Sequence, residues 1–470
     1  MADLPARRPA GSIALSPPAR LTPADHELLL GLLDIPTAGP LETGDGGPAV
    51  ALWEAGRTYA TAAAKLGLRV LRHAPAEPGV LCRDDVPLTV REAARDETFL
   101  ARQPSLVLSL GPRLPRRDTV MFNVHLDTVA GWWPAHFDGR RFTGRGAIDA
   151  KGPAVALLAG IRAARAAEPD LGRRVGVLVQ AVAGEEGGAM GTFGTRPLVE
   201  AGFTGGLNMF CEPTGHRFLP RSTASMTAVV RVAGEDAVDD RPEAGHNATV
   251  LLGHIAHHLA RALPPRIRDG RVCVAGLHTG ERHNRVYGTG RLLLNVSYGS
   301  RAAGEAAEAA LREALDEALA AFSAGAAGTR DLARTAADAA RITSLHWCKR
   351  GLPALDGRGR APWAEELLER HAGLVRWPDE EPAFTCDAIW MAEVSDAYTA
   401  VFGPGDLDTN RAHAAGEYAD LADLDRYADE IARLLVARVR HPPPGGAATE
   451  EPHAHQAAAP GAAEDRISAR

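Results

Sequence analysis

The chain has 470 residues, 45% of them hydrophobic, and a formal net charge of −7. That length is too great for one ordinary domain and supplies ample apolar material for a core, so two lobes with tails are expected. The modest acidic balance argues against nucleic acid as a partner, since the basic residues are dispersed and not gathered in a patch.

The first segment, MADLPARRPAGSIALSPPAR, is Pro-rich, and residues 1–20 are expected to form an unstructured leader. It lacks the apolar stretch of a signal peptide, and no run approaches the ~20 apolar residues that a membrane span needs. A cytoplasmic protein without membrane contact is therefore expected. Five cysteines, Cys82, Cys211, Cys273, Cys348 and Cys386, are scattered without CxxC spacing, so neither a disulfide frame nor a cysteine zinc site is indicated.

A helix over LTPADHELLLGLLDIP leads to the first chemically marked segment, MFNVHLDTVAG, an apolar strand ending in His125-x-Asp127. GRGAIDAKGP then places Asp149 at the opening of a helix. Imidazole nitrogen and carboxylate oxygen are the donor types a zinc-like divalent ion takes. Asp127 is positioned to accept the other ring N–H of His125 and fix its orientation. A lone His-x-Asp is more often a polar strand end than a ligand. Two further strands change that balance. RVGVLVQAVAGEE is a near-continuous apolar run, as in a strand buried on both faces, and it ends in Glu185 and Glu186. LNMFCEPTG repeats the design with Glu212. Three successive strands thus end in acid or imidazole, at the edge where α/β sheets carry their chemistry.

From about Arg217 to Phe322 the pattern becomes strand (MTAVVRVAG), helix (HNATVLLGHIAHHLARAL), strand (RVCVAGLH), strand (GRLLLNVSYG) and an Ala-rich helix. That order suits a small α+β module with helices on one face of an antiparallel sheet. The chain is then expected to rejoin the first lobe through RITSLHWCKRG. It ends with HPPPGGAATEEPHAHQAAAPGAAEDRISAR, read as a low-complexity tail. The expected domains are a catalytic lobe in two parts, 21–216 and 329–440, an insert at 217–328, and a tail at 441–470.

The series HxD, GRGxxDxKG, EE and EPT, with a late His413 in FGPGDLDTNRAHAAGEYADL, resembles the co-catalytic zinc metallopeptidases. That family includes acetylornithine deacetylase, succinyl-diaminopimelate desuccinylase, aminoacylase and carboxypeptidase G. The late segment is similar to the family's GPG…AHxxNE, with Gly416 in place of the Asn. The resemblance implies an α/β fold: a mostly parallel central sheet flanked by helices, plus an inserted ferredoxin-like lid and dimerisation domain, and hence a homodimer. It also implies two zinc ions per chain, with cobalt or manganese as substitutes. Asp149 would bridge them, His125 and Glu212 completing one site and Glu186 and His413 the other. Glu185 would be the general base and Asp127 the support of His125. Such a pair of ions lowers the pKa of a water and polarises a carbonyl, and a nearby carboxylate moves the proton.

The insert departs from the family pattern. Val238 stands where a lid His is expected, and Asn295 and Ser297 where a DxR motif supplies an Arg for the substrate carboxylate. His246 and His283 are candidate replacements for the His, Asn284 matches an Asn near the substrate, and Asp387 sits at a GTSD-like segment. The Ala-Lys-Gly-Pro of GRGAIDAKGP is similar to hydrolases that release lysine or ornithine from an acidic amino-group carrier protein. The resulting expectation is hydrolysis of a small amide or peptide, or of a carrier-linked amino acid. Two alternatives stay open: a non-hydrolytic acyl-transfer or amide-forming enzyme on the same frame, and a metal-holding binding protein without turnover.

Overall fold

Apolar strands, a helix-forming stretch between them and Gly or Pro at their ends produce two main sheets, one of six strands and one of four. The computed structural model describes residues 12–44, 50–358 and 361–444. The chain enters through α1 (Pro23–Asp34) and α2 (Leu52–Lys65) and lays down β1 (Leu68–Ala74), β2 (Ser105–Leu110) and β3 (Thr119–His125). Helix α3 (Lys151–Ala167) then crosses to β4 (Gly176–Val182) and β5 (Leu207–Phe210). The insert follows as β6 (Ala224–Ala233), α4 (Ala248–Ala262), β7 (Gly270–His278), β8 (Thr289–Tyr298), α5 (Arg301–Ala326), α6 (Ala333–Ile342) and β9 (Thr343–Lys349). The chain returns as β10 (Tyr398–Val401) and finishes in α7 (Leu421–Arg440).

The six-stranded sheet has the order β1-β2-β4-β3-β5-β10. Only β2 opposes its neighbours; β4, β3, β5 and β10 pair in parallel. All seven residues of β3 are buried, which accounts for its unbroken apolar character. Helices α3 and α7 pack on each other, with α3 burying most of its length. Because the four parallel strands point the same way, their carboxyl ends share one edge of the sheet. His125, Glu185 and Glu186, Glu212 and the loop bearing His413 all follow those ends.

The smaller sheet is antiparallel, in the order β7-β8-β6-β9. With α4 and α5 this is the ferredoxin-like βαββαβ arrangement. Helix α5 begins at Ser300, whose hydroxyl accepts the Ala303 N–H. Its buried face, Gly304, Ala307, Leu311, Ala314, Ala318 and Phe322, recurs every three or four residues. The sheet runs on to Lys349, past the boundary expected near residue 328. RITSLHWCK has strand periodicity, but only its pairing with β6 shows which sheet it joins.

Part of the expected leader is ordered. The Ile13 N–H donates to the His371 carbonyl, and the Ala19 N–H to the buried Asp429 carboxylate. Ile13 and Leu15 give this stretch enough apolar surface to pack on the larger core. Residues 1–11 and the tail beyond 444 lie outside the described residues. Among the described residues no helix is long and apolar enough to cross a membrane.

Candidate metal and catalytic site

Asp149 joins two imidazoles. Its Oδ1 lies 2.8 Å from His125 Nε2 and its Oδ2 3.0 Å from His413 Nε2. His413 Nε2 is also 3.3 Å from Glu186 Oε1. His125, Asp149 and Glu186 are buried and bring donor atoms within 4.8 Å of one another. His413 is half exposed, at the rim of the cluster.

Each side chain is aimed by local backbone. His125 Nδ1–H donates to the main-chain carbonyl of Asp127 at 2.8 Å, which leaves Nε2 facing Asp149. The expected partner was the Asp127 carboxylate, but its Oδ1 stands 3.7 Å from that nitrogen. The carboxylate instead accepts the N–H groups of Gly184 and Glu186 through Oδ2, each at 3.0 Å. Asp127 therefore holds the ring by its backbone and the Glu185–Glu186 turn by its side chain.

Sequence reasoning gave no role to Glu417, the last residue of AHAAGE. One of its oxygens accepts the Ile148 and Asp149 N–H groups at 3.0 and 3.2 Å, and the other accepts Gly146 N–H at 3.1 Å and Arg145 Nη1 at 2.6 Å. It ties the His413 loop to the Asp149 loop. The missing Asn of AHxxNE also finds an explanation: Gly416 has φ +79°, a left-handed conformation that Gly adopts freely and Asn tolerates. Lys151 of the DxK motif stays out of the site. Its ammonium donates to the carbonyls of Leu32 and Ile35, each 2.9 Å away, and burial lowers it to about 7.

Asp387 is fully buried beside the glutamate turn. Thr195 Oγ1 donates to its Oδ2 at 2.5 Å, and Asn123 Nδ2 donates to that hydroxyl at 3.0 Å and to Gln180 Oε1 at 2.8 Å. The chain of contacts links the floor of the sheet to the site.

The electrostatics describe an excess of carboxylates. Burial, reinforced by Glu212, Glu186 and Asp387, pushes the half-buried Glu185 well above the usual range. Burial raises Glu186 to about 7 despite His413, and it raises Glu212 strongly. Asp387 is also raised by burial to about 7. Burial opposes ionisation of Asp149 as well, but hydrogen bonds from His125 and His413 outweigh it and hold that carboxyl well below the ordinary value. The hydrogen bonds that His413 donates to Asp149 and then Glu186 outweigh burial and lift it to about 10. Burial would lower His125, yet Asp149 and the neighbouring Glu charges raise it. Oxygen and imidazole donors crowded in this way match the preferences of zinc-type ions, so the donor set fits the expected metals.

Three other expected residues lie elsewhere. His246 is buried inside the insert, where Nδ1 accepts the Glu235 N–H at 2.9 Å and Nε2 meets Asp338 Oδ2 at 3.0 Å. Both ring nitrogens are thus engaged within the insert, away from Asp149, Glu186 and Glu212. His283 and Asn284 are exposed in the loop before β8, and Val238 is exposed on a two-residue strand paired with Arg285–Val286.

A mostly parallel α/β sheet, interrupted by a ferredoxin-like module, thus gathers acids and imidazoles of metal-ligand type at its carboxyl edge. Residues 121–437 match the model of peptidase family M20/M25/M40, and the chain belongs to that family. It is a hydrolytic enzyme of the metallopeptidase type. Over 194 residues it is 32% identical to an Aeropyrum pernix protein provisionally assigned as a LysW-lysine/LysW-ornithine hydrolase. That match covers 41% of this chain and spans about half (50%) of the relative's length. The fold is shared with an M20 family metallo-carboxypeptidase of Sulfolobus solfataricus at TM-score 0.64 and 12% identity, over 89% of this chain and 100% of the other. It is also shared with a dinuclear metal binding M20 peptidase of Bacillus subtilis at TM-score 0.56 and 12% identity, over 89% and 98%.

Proposed function

We propose that the chain hydrolyses an amide or peptide bond with two zinc-type ions held by His125, Asp149, Glu186, Glu212 and His413. The observation that carries this reading is Asp149, whose two oxygens face two imidazoles from separate segments, His125 at the end of β3 and His413 on a later loop. A carboxylate so placed can serve two ions at once. When bound, a pair of such ions makes water acidic and polarises the scissile carbonyl.

The remaining work falls to the protein. Glu185 takes a proton from the attacking water and passes it to the leaving amine. Its partner Glu186 points to the imidazole side, so one turn divides the two tasks. Asp127 keeps that turn in place through the Gly184 and Glu186 N–H groups. The substrate is a small N-acyl amino acid, a dipeptide or a carrier-linked amino acid, the last supported by the similarity to the archaeal hydrolase. Alanine in place of Glu185 is expected to lower turnover of such a substrate by at least about a hundredfold while metal content stays at the wild-type level. Turnover that survives the substitution removes Glu185 from the proton-transfer role.

A further inference from the structure

Only three of the chain's 52 cationic Lys and Arg residues are lysines: Lys65, Lys151 and Lys349. Lys349 ends β9, and its position follows from an irregularity in pairing. Trp347 lies opposite Ala228 of β6, yet Lys349 lies opposite Thr227, so the strand gains a residue between them. Directly opposed residues share a face of a sheet. Ala228 belongs to the buried face that packs with α4 and α5, as do Met226 and Val230. Thr227 belongs to the other face. The bulge therefore turns Lys349 away from the helices, a common use of such irregularities.

On that face Thr227 is also paired with Asn295 of β8, so Asn295, Thr227 and Lys349 form one row. The adjacent row places Ser225 opposite Ser297, both short and uncharged. Arg231 and Arg291 lie farther out on the same face and are exposed, whereas Lys349 is half-buried. Beyond the strand, Gly351 approaches Asp85 of the larger lobe, and β9 touches the short helix Leu88–Ala93. Lys349 thus sits at the seam between the two sheets. The carboxylate whose charge acts on it is Glu185, the proposed base. Among the described residues no hydrogen bond or salt bridge is made by its ammonium, in a protein whose arginines are largely paired. Burial lowers the ammonium to about 8, against the opposing pull of Glu185, so the charged form prevails at neutral pH.

We infer that Lys349 is the substrate-binding cation of the insert and grips a carboxylate on the substrate. This rests on the proposed hydrolase reading and names the residue that selects, among its substrates, amides with a free carboxylate near the scissile bond. A compact ammonium on a long stem suits a seam where the approach angle changes with the substrate.

The test compares the metal-loaded wild type with Lys349→Met and Lys349→Arg on free-acid and carboxamide forms of the same N-acetyl amino acids and dipeptides. Loss of one charge-assisted contact is expected to raise KM for the acids by about 10- to 100-fold in Lys349→Met. The carboxamides should change little, and Lys349→Arg should recover part of the loss. Titration calorimetry with N-acetyl-alanine and N-acetyl-alaninamide reads the same preference without turnover. A wild type that prefers the acid by binding but hydrolyses nothing in the panel would remove N-acetyl amino acids and dipeptides from the proposed substrates and leave the lysine's role standing. An equal change for acid and amide, no wild-type preference, or a preference retained in Lys349→Met overturns the inference.

Discussion

Replacing Glu417 by alanine removes at one stroke the carboxylate that binds the Asp149 loop to the His413 loop. Three backbone N–H groups, from Gly146, Ile148 and Asp149, lose their acceptor, as does the Arg145 guanidinium. Both members of the Arg145–Glu417 pair are buried, with side chains 6% and 1% exposed. Hydrogen bonds to a charged group contribute about 1.5–3 kcal/mol each, but these share one carboxylate and do not add. The larger effect is the orphaned guanidinium: removing one partner of a buried pair costs about 3–5 kcal/mol. Scanning calorimetry should therefore show a Tm lower by about 3–7 °C. Glu417→Gln, which keeps an acceptor oxygen, should lose less. Zinc affinity should fall in both, because Asp149 and His413 no longer share a support. A Tm within a degree or two of wild type for the alanine variant would refute the assignment of Glu417 as the clamp.

The metal-free protein should lose stability as pH rises from about 4.5 to 7. Glu186 is raised to about 7 and Glu185 and Glu212 are raised too, so the folded state holds protons that the unfolded chain has released. His413, raised to about 10, acts in the same direction above the ordinary histidine value, its contribution being complete below about 6.5 and lost as pH climbs toward 10. Denaturant titrations at pH 5 and 8 check this, and equal stabilities would contradict it; added zinc should restore stability at the higher pH. Gly191→Ala should destabilise by roughly 1–3 kcal/mol. Its φ is +60°, and a Cβ there would stand 2.5 Å from both Asp387 oxygens. A urea midpoint unchanged from wild type would show that the loop relaxes freely. Thr195→Val should cost about 1–3 kcal/mol by leaving Asp387 and Asn123 without the bridging hydroxyl. The same titration measures it, and a neutral result would remove that network from the account.

The sheet edge was legible because chemistry and periodicity coincide there. β3 and β4 are apolar along nearly their whole length and change abruptly to His-x-Asp and Glu-Glu, so the ends of the strands announce themselves. The insert was legible as a strand and helix pattern, but its limit was not. Thr343–Lys349 alternates as a half-exposed strand would, and alternation cannot say whether the partner is β6 or the larger sheet. The leader was read from its prolines, although Ile13 and Leu15 find a buried surface far away in sequence. Roles carried by the backbone were hidden as well. Asp127 meets His125 through its carbonyl, which any residue possesses, and Glu417 acts through main-chain N–H groups that no motif displays. His246 shows the converse: a histidine near a motif gap in sequence can be wholly engaged in packing its own module.

Metal content measured together with turnover tests most directly whether two ions share Asp149. After reconstitution with zinc and removal of excess metal, elemental analysis should give two equivalents per chain in the wild type. Asp149→Ala should hold less than one equivalent and be inactive. A wild type that retains far less than one equivalent, while cleaving its substrate undiminished in the presence of chelator, would contradict the account.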